Sequence, residues 1–140
     1  MSVLYTAEAL ATGDGRNGHV RTDDGKVEFD LSIPKAMGGN GIGTNPEQLF
    51  AAGYAACFHS ALRTVARMTK ENVDDSAVGA KVGIGPNENG GFGLTVTLEI
   101  SLPHLPLDEA KVLAEKAHQV CPYSNATRGN IPVDVIVVED

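Results

Sequence analysis

The chain has 140 residues, 42% of them hydrophobic and 21% charged, the size and balance of one globular domain rather than of a disordered or fibrous chain. Its 11 basic and 18 acidic residues leave a formal net charge of −7 with no Lys/Arg cluster, so nucleic acid and anionic membrane are poor partners. No apolar run approaches the roughly 20 residues of a membrane span, and Met1–Glu8 lacks the basic start and apolar stretch of a secretory leader; the expected location is the cytoplasm.

In chain order, Val3–Leu10 has the β-branched, aromatic and small residues of a strand. Gly13-Asp14-Gly15-Arg16-Asn17-Gly18 is a turn by composition. His19–Thr22 and Val27–Ile33 flank Asp23-Asp24-Gly25-Lys26, a hairpin signal. Val27, Phe29 and Leu31 alternate with polar residues, which predicts one buried face. Residues 34–44 form a glycine-rich loop. A helix follows, capped by Thr44 or Asn45, with Pro46 at its first position and Glu47 in its first turn, running to about Thr69. Its stretch from Ala51 to Phe58 carries small residues all round, which predicts a central helix covered on most sides. Val78–Ile84 and Leu94–Ser101 read as strands about a turn at Gly85–Gly91, Leu107–Val120 as a second helix ended by Cys121-Pro122, and Pro132–Val138 as a last strand. Strands, helix, strands, helix and strand in that order predict a single α+β domain over residues 1–140.

The two cysteines are the chemical question. In a reducing cytosol a static disulfide is not expected, so the pair is either inert core or redox chemistry. Two cysteines and four scattered histidines are too few and too irregular for a zinc site, so no metal is expected. Cys57 reads in two ways: a small buried hydrophobe, or a nucleophile. The second needs a lowered pKa, and a mid-helix position gets no help from the helix dipole. Arg63 projects to the opposite face, so Arg16 in the glycine-rich turn is the better source of a cation. Glu47, ten residues before Cys57, is about 15 Å away along a straight helix. Either the chain bends near Pro46 or Glu47 comes from a second subunit, if the two share a site. Glu47 can orient Arg16 through a bidentate ion pair, or simply stabilise the first turn. Cys121, at a helix end before proline, is either a small packed residue or a thiol at a hinge. Tyr123 and Arg128 stand close by in sequence.

These residues resemble the organic hydroperoxide resistance proteins, a branch of the OsmC/Ohr superfamily. The resemblance rests on Leu4-Tyr5-Thr6-Ala7, on Gly15-Arg16-Asn17-Gly18, on the run from Gly43 to Phe58 and on the run from Cys121 to Asn130. It implies curled antiparallel sheets around two central helices in an intertwined homodimer, with active sites at the subunit interface. It also implies a cysteine peroxidase for alkyl and lipid hydroperoxides. By motif position Cys57 corresponds to the peroxidatic cysteine, Cys121 to the resolving one, and Arg16 and Glu47 to the pair that activates the thiolate. No bound cofactor is expected; dihydrolipoamide or a lipoylated protein would serve as reductant. Phe50, Tyr54, Phe58 and the loop around Met37 are the expected apolar surround for the substrate. An OsmC-type peroxidase with another preferred peroxide, and a redox sensor using the same thiol pair, are the rival readings.

Overall fold

The computed structural model describes residues 1–139. It comprises two compact units, Met1–Leu49 and Phe50 onward. In the first, strands β1 (Ala9–Thr12), β2 (His19–Thr22) and β3 (Glu28–Asp30) form an antiparallel sheet in that order. Gly25, at φ +74°, turns the β2–β3 hairpin, and Asp24 Oδ1 accepts hydrogen bonds from Thr22 Oγ1 and the Lys26 N–H.

Two strand expectations are corrected here. The first strand is Ala9–Thr12, not Val3–Leu10, because its register starts at Ala9 opposite Thr22, where β2 ends. Residues further upstream have no partner strand within the unit. The third strand stops at Asp30, since beyond it the Leu31 N–H goes to Gly18 O, Ser32 N–H to Thr44 O, and Ile33 N–H to Asn17 Oδ1. Its apolar face is also not buried as expected: Phe29 is 46% exposed and Val27 38%, and only Leu31 is covered. Within this unit no helix layer lies over the sheet to cover them.

Helix α1 (Pro46–Thr69) begins in the first unit and continues into the second. Asn45 is its cap, its Oδ1 accepting the Gln48 N–H at 2.8 Å, and Pro46 follows at the first helical position, where no N–H is needed. The expectation that the small-residue stretch is covered on most sides fails for Ala52 and Ala56. Both are exposed in the single chain, one turn apart. The opposite face holds the core, with Tyr54, Phe58, Ala61, Leu62, Val65 and Ala66 buried.

The rest of the second unit is β4 (Ala77–Pro86), β5 (Phe92–Ser101), α2 (Leu107–Val120), α3 (Pro122–Thr127) and β6 (Val133–Val138). The β4–β5 hairpin pairs in unbroken register from Ala77 opposite Ser101 to Pro86 opposite Phe92. Its turn is shorter than Gly85–Gly91 because Asn87 folds it, accepting the N–H groups of Asn89 and Gly91 on Oδ1. Val96, Leu98 and Ile100 alternate into the core as their pattern predicts. β6 joins β5 in parallel, because α2 and α3 form the crossover between them and return the chain to the same end of the sheet. Ala110, Leu113, Ala114 and Ala117 of α2 are buried in the same core. The result is the expected α+β fold, two three-stranded sheets with helices. No described helix is long and apolar enough to cross a membrane.

Candidate active site

Two clusters carry the residues singled out above. In the first unit, Arg16 sits on a 3₁₀ turn, Gly15–Asn17, closed by Asn17 N–H to Asp14 O and Gly18 N–H to Gly15 O, both at 2.9 Å. Gly18 must be glycine: a Cβ there would lie 2.3 Å from Thr12 O. Glu47, in the first turn of α1, meets Arg16 in a bidentate pair, Nη1 to Oε2 at 2.8 Å and Nη2 to Oε1 at 2.7 Å. The Arg16 hydrogen bond holds the Glu47 carboxyl below its ordinary range against the opposing effect of burial. The same bond raises the Arg16 pKa. A guanidinium fixed this way keeps its remaining N–H donors for an anion.

In the second unit, α1 presents Cys57, and Cys121 occupies the joint between the end of α2 and the start of α3. Their sulfurs are 3.6 Å apart, Cys121 fully buried and Cys57 partly exposed. A disulfide needs about 2.05 Å, so the two sulfurs must close by roughly 1.5 Å to join. Burial pushes the Cys57 thiol above its ordinary value; the Tyr123 backbone N–H pulls it down, and the Cys121 thiol adds to the rise. No cation among the described residues offsets that burial.

Aromatic rings flank the pair. Phe50 is half-buried and stacks on Tyr123 at 5.8 Å, while Tyr54 meets Tyr123 edge-on at 5.6 Å. The Tyr123 ring fits because residue 53 is glycine: a Cβ there would stand 3.0 Å from the Tyr123 hydroxyl. Tyr54 and Phe58 are fully buried, and Met37 is 43% exposed in the first unit. Arg63 turns away from the thiols and donates to Val73 O. Arg128 donates to His118 O at the end of α2.

The sequence reading did not single out His118, Ser124 and Thr127, which with Tyr54 form a buried hydrogen-bonded network beside Cys121. The signal was faint: small polar residues three apart after Cys121, and a histidine three before it.

Paired thiols on an α+β scaffold of this topology define a class, and comparison with known proteins agrees with it. Residues 38–136 match the family model described as OsmC-like protein. The chain is 53% identical to the organic hydroperoxide resistance protein of Xanthomonas axonopodis pv. citri, over 94% of this chain and 92% of that one. It is 47% identical to organic hydroperoxide resistance protein OhrB of Bacillus subtilis, over 93% and 95%. The crystal structure of an organic hydroperoxide resistance protein from Elizabethkingia anophelis superposes with a TM-score of 0.95 at 56% identity, covering 100% of both chains. The chain therefore belongs to the OsmC family, in its organic hydroperoxide resistance branch.

Proposed function

We propose that the protein is a thiol peroxidase that reduces alkyl and lipid hydroperoxides to alcohols in the cytoplasm. The observation that carries this reading is the thiol pair, 3.6 Å apart, with one sulfur partly exposed and the other buried behind it. A peroxide arriving from solvent meets Cys57 first. The Cys57 thiolate attacks the distal oxygen of ROOH; an S–O bond forms, the O–O bond breaks, and the alkoxide leaves with a proton as ROH. The Cys57 sulfenic acid then condenses with the Cys121 thiol, forming the S–S bond and releasing water. A dihydrolipoyl group on a lipoylated protein reopens the disulfide by exchange and leaves as its own cyclic disulfide.

Attack requires a thiolate, and burial alone works against one. Arg16, held by Glu47, is the cation we assign to stabilise it and to receive the peroxide oxygens. Because α1 is one continuous helix, Glu47 and Cys57 stand about 15 Å apart along it. The pair that serves a given Cys57 is then Arg16 of the partner subunit with Glu47 of the partner subunit, in a homodimer. The exposed Ala52 and Ala56, Leu4 and Phe29 are apolar surface that such association would cover. Phe50 and Tyr123, backed by Tyr54 and Phe58, give the apolar wall that favours an organic peroxide over hydrogen peroxide, with Met37 as a further contact.

The test is consumption of tert-butyl hydroperoxide with dihydrolipoamide as reductant. The reading expects Cys57→Ser to abolish turnover and Cys121→Ser to impair it. Undiminished activity in Cys57→Ser would overturn it.

A further inference from the structure

A single buried hydrogen-bonded network straddles the resolving cysteine and also reaches the helix of the attacking one. His118 lies three residues before Cys121, on α2, and Ser124 three residues after it, on α3; His118 Nδ1 and Ser124 Oγ are 2.8 Å apart. Ser124 Oγ also meets the Tyr54 hydroxyl at 2.8 Å, and Tyr54 stands three residues before Cys57 on α1. The Tyr54 hydroxyl continues to Thr127 Oγ1 at 3.0 Å, and Thr127 Oγ1 donates to Ser124 O at 3.3 Å. Tyr54 and Ser124 are wholly buried, Thr127 and His118 nearly so. No polar side-chain atom buried among the described residues lacks a partner.

The donors close into one chain: His118 Nδ1–H to Ser124, Ser124 to Tyr54, Tyr54 to Thr127, and Thr127 to the Ser124 carbonyl. The reversed direction, with Ser124 donating to His118, has three hydroxyl protons for four contacts and leaves one of them unmade. In either direction Ser124 Oγ is the junction, because it alone joins α2, α3 and α1. Across this joint Cys121 is extended, at φ −60° and ψ 123°, Pro122 supplies no N–H, and the Ser124 hydroxyl and the Arg128 guanidinium both reach back to His118.

We propose that Ser124 is a positioning residue for the resolving step. It ties the two helix ends on either side of Cys121 to the Cys57 helix, and so holds the Cys121 sulfur where it can displace water from a Cys57 sulfenic acid. The step balances as before: the sulfenic oxygen leaves as water with the Cys121 thiol proton, and the two sulfurs bond. The proposal rests on the peroxidase reading above and adds a function for residues outside the thiols and the Arg16–Glu47 pair. Its value to the enzyme is protection, since a sulfenic acid not captured promptly is open to a second peroxide and irreversible sulfinic acid.

The experiment is rapid mixing of reduced full-length protein with one equivalent of cumene hydroperoxide, comparing wild type, Ser124→Ala and Tyr54→Phe. Peroxide consumption reports the first step. Acid-quenched, alkylated mass spectrometry reports the disulfide, and excess peroxide reports the sulfinic acid. For Ser124→Ala, first-step rates within about twofold of wild type and disulfide formation slowed at least about tenfold are expected, the scale of a misplaced reacting group. Sulfinic acid should accumulate at lower peroxide. Tyr54→Phe, which removes the link to α1 and strands no partner, should slow disulfide formation relative to its own first step, whatever that first-step rate is, if Ser124→Ala does not fold. Disulfide formation at the wild-type rate in the variants overturns the proposal. So does equal slowing of both steps, which means general damage. Wild-type protein that consumes peroxide but never forms a disulfide refutes the resolving role of Cys121 itself, and the positioning role with it.

Discussion

Replacing Tyr54 by phenylalanine removes one oxygen from the middle of the buried network and leaves the ring where it is. Two hydrogen bonds go, to Ser124 at 2.8 Å and to Thr127 at 3.0 Å. Neither partner is stranded: Ser124 Oγ keeps His118 Nδ1, and Thr127 Oγ1 keeps the Ser124 carbonyl. The ring keeps its contacts with Phe50 at 5.7 Å and Tyr123 at 5.6 Å. The loss is then the net worth of the bonds alone, about 1–2 kcal/mol. Ser124→Ala is a different kind of change. Tyr54 keeps Thr127, but His118 Nδ1 loses its partner in a buried site, a penalty of about 1–3 kcal/mol in addition to the bonds themselves. Urea denaturation at one fixed protein concentration, with m unchanged, should rank the proteins wild type, Tyr54→Phe, Ser124→Ala in falling stability. A loss beyond about 3 kcal/mol for Tyr54→Phe, or a Tyr54→Phe protein less stable than Ser124→Ala, would refute this hydrogen-bond accounting.

Other substitutions separate stability from chemistry. In Glu47→Gln one N–H of Arg16 would face the amide NH₂, donor against donor, and the bidentate grip is lost; because Arg16 is 36% exposed, stability should fall by less than about 1 kcal/mol. Hydroperoxide reduction should nevertheless fall at least about tenfold in steady-state assays, as the guanidinium loses its orientation. Gly18→Ala would drive a Cβ to 2.3 Å from Thr12 O and 2.8 Å from Asp14 N, so thermal unfolding should report a loss of about 2 kcal/mol or more together with reduced turnover. Two histidines should titrate on opposite sides of the ordinary 6.5. His118 is pulled down by burial and then by Arg128, and His19 is raised by its hydrogen bonds to Asp30 and Glu28. His118 therefore contributes stability that is present above about pH 6.5 and is lost as the pH falls through its depressed value, whereas His19 contributes in the opposite sense. NMR titration of the two ring signals checks both signs.

The start of α1 was legible because Asn45, Pro46 and Glu47 are local signals whose partners lie within one turn. The β5 alternation was legible because Val96, Leu98 and Ile100 face one core. The length of β1 was not, since it is set by where β2 ends, at Thr22, and not by Val3–Leu10 themselves. The exposure of Val27 and Phe29 was not either, because alternation reveals an apolar face without saying what covers it. At the site, the bidentate Arg16–Glu47 geometry followed from the complementary shapes of the two groups. The closeness of the two sulfurs had no such local cause. It depends on the α2–α3 joint at Cys121 meeting α1, a tertiary arrangement that residue spacing does not encode. The network was hidden for the same reason, because a serine or threonine hydroxyl carries no hint of which distant group will meet it.

The most direct test of the account is the mass of the reduced protein after one equivalent of cumene hydroperoxide, measured intact and after non-reducing digestion. The account predicts that wild type loses two hydrogens and yields a Cys57–Cys121 cross-linked peptide, that Cys121→Ser gains one oxygen on Cys57, and that Cys57→Ser is unchanged. Oxidation appearing on Cys121 in Cys57→Ser, or a wild-type protein that shows neither cross-link nor added oxygen, would contradict it.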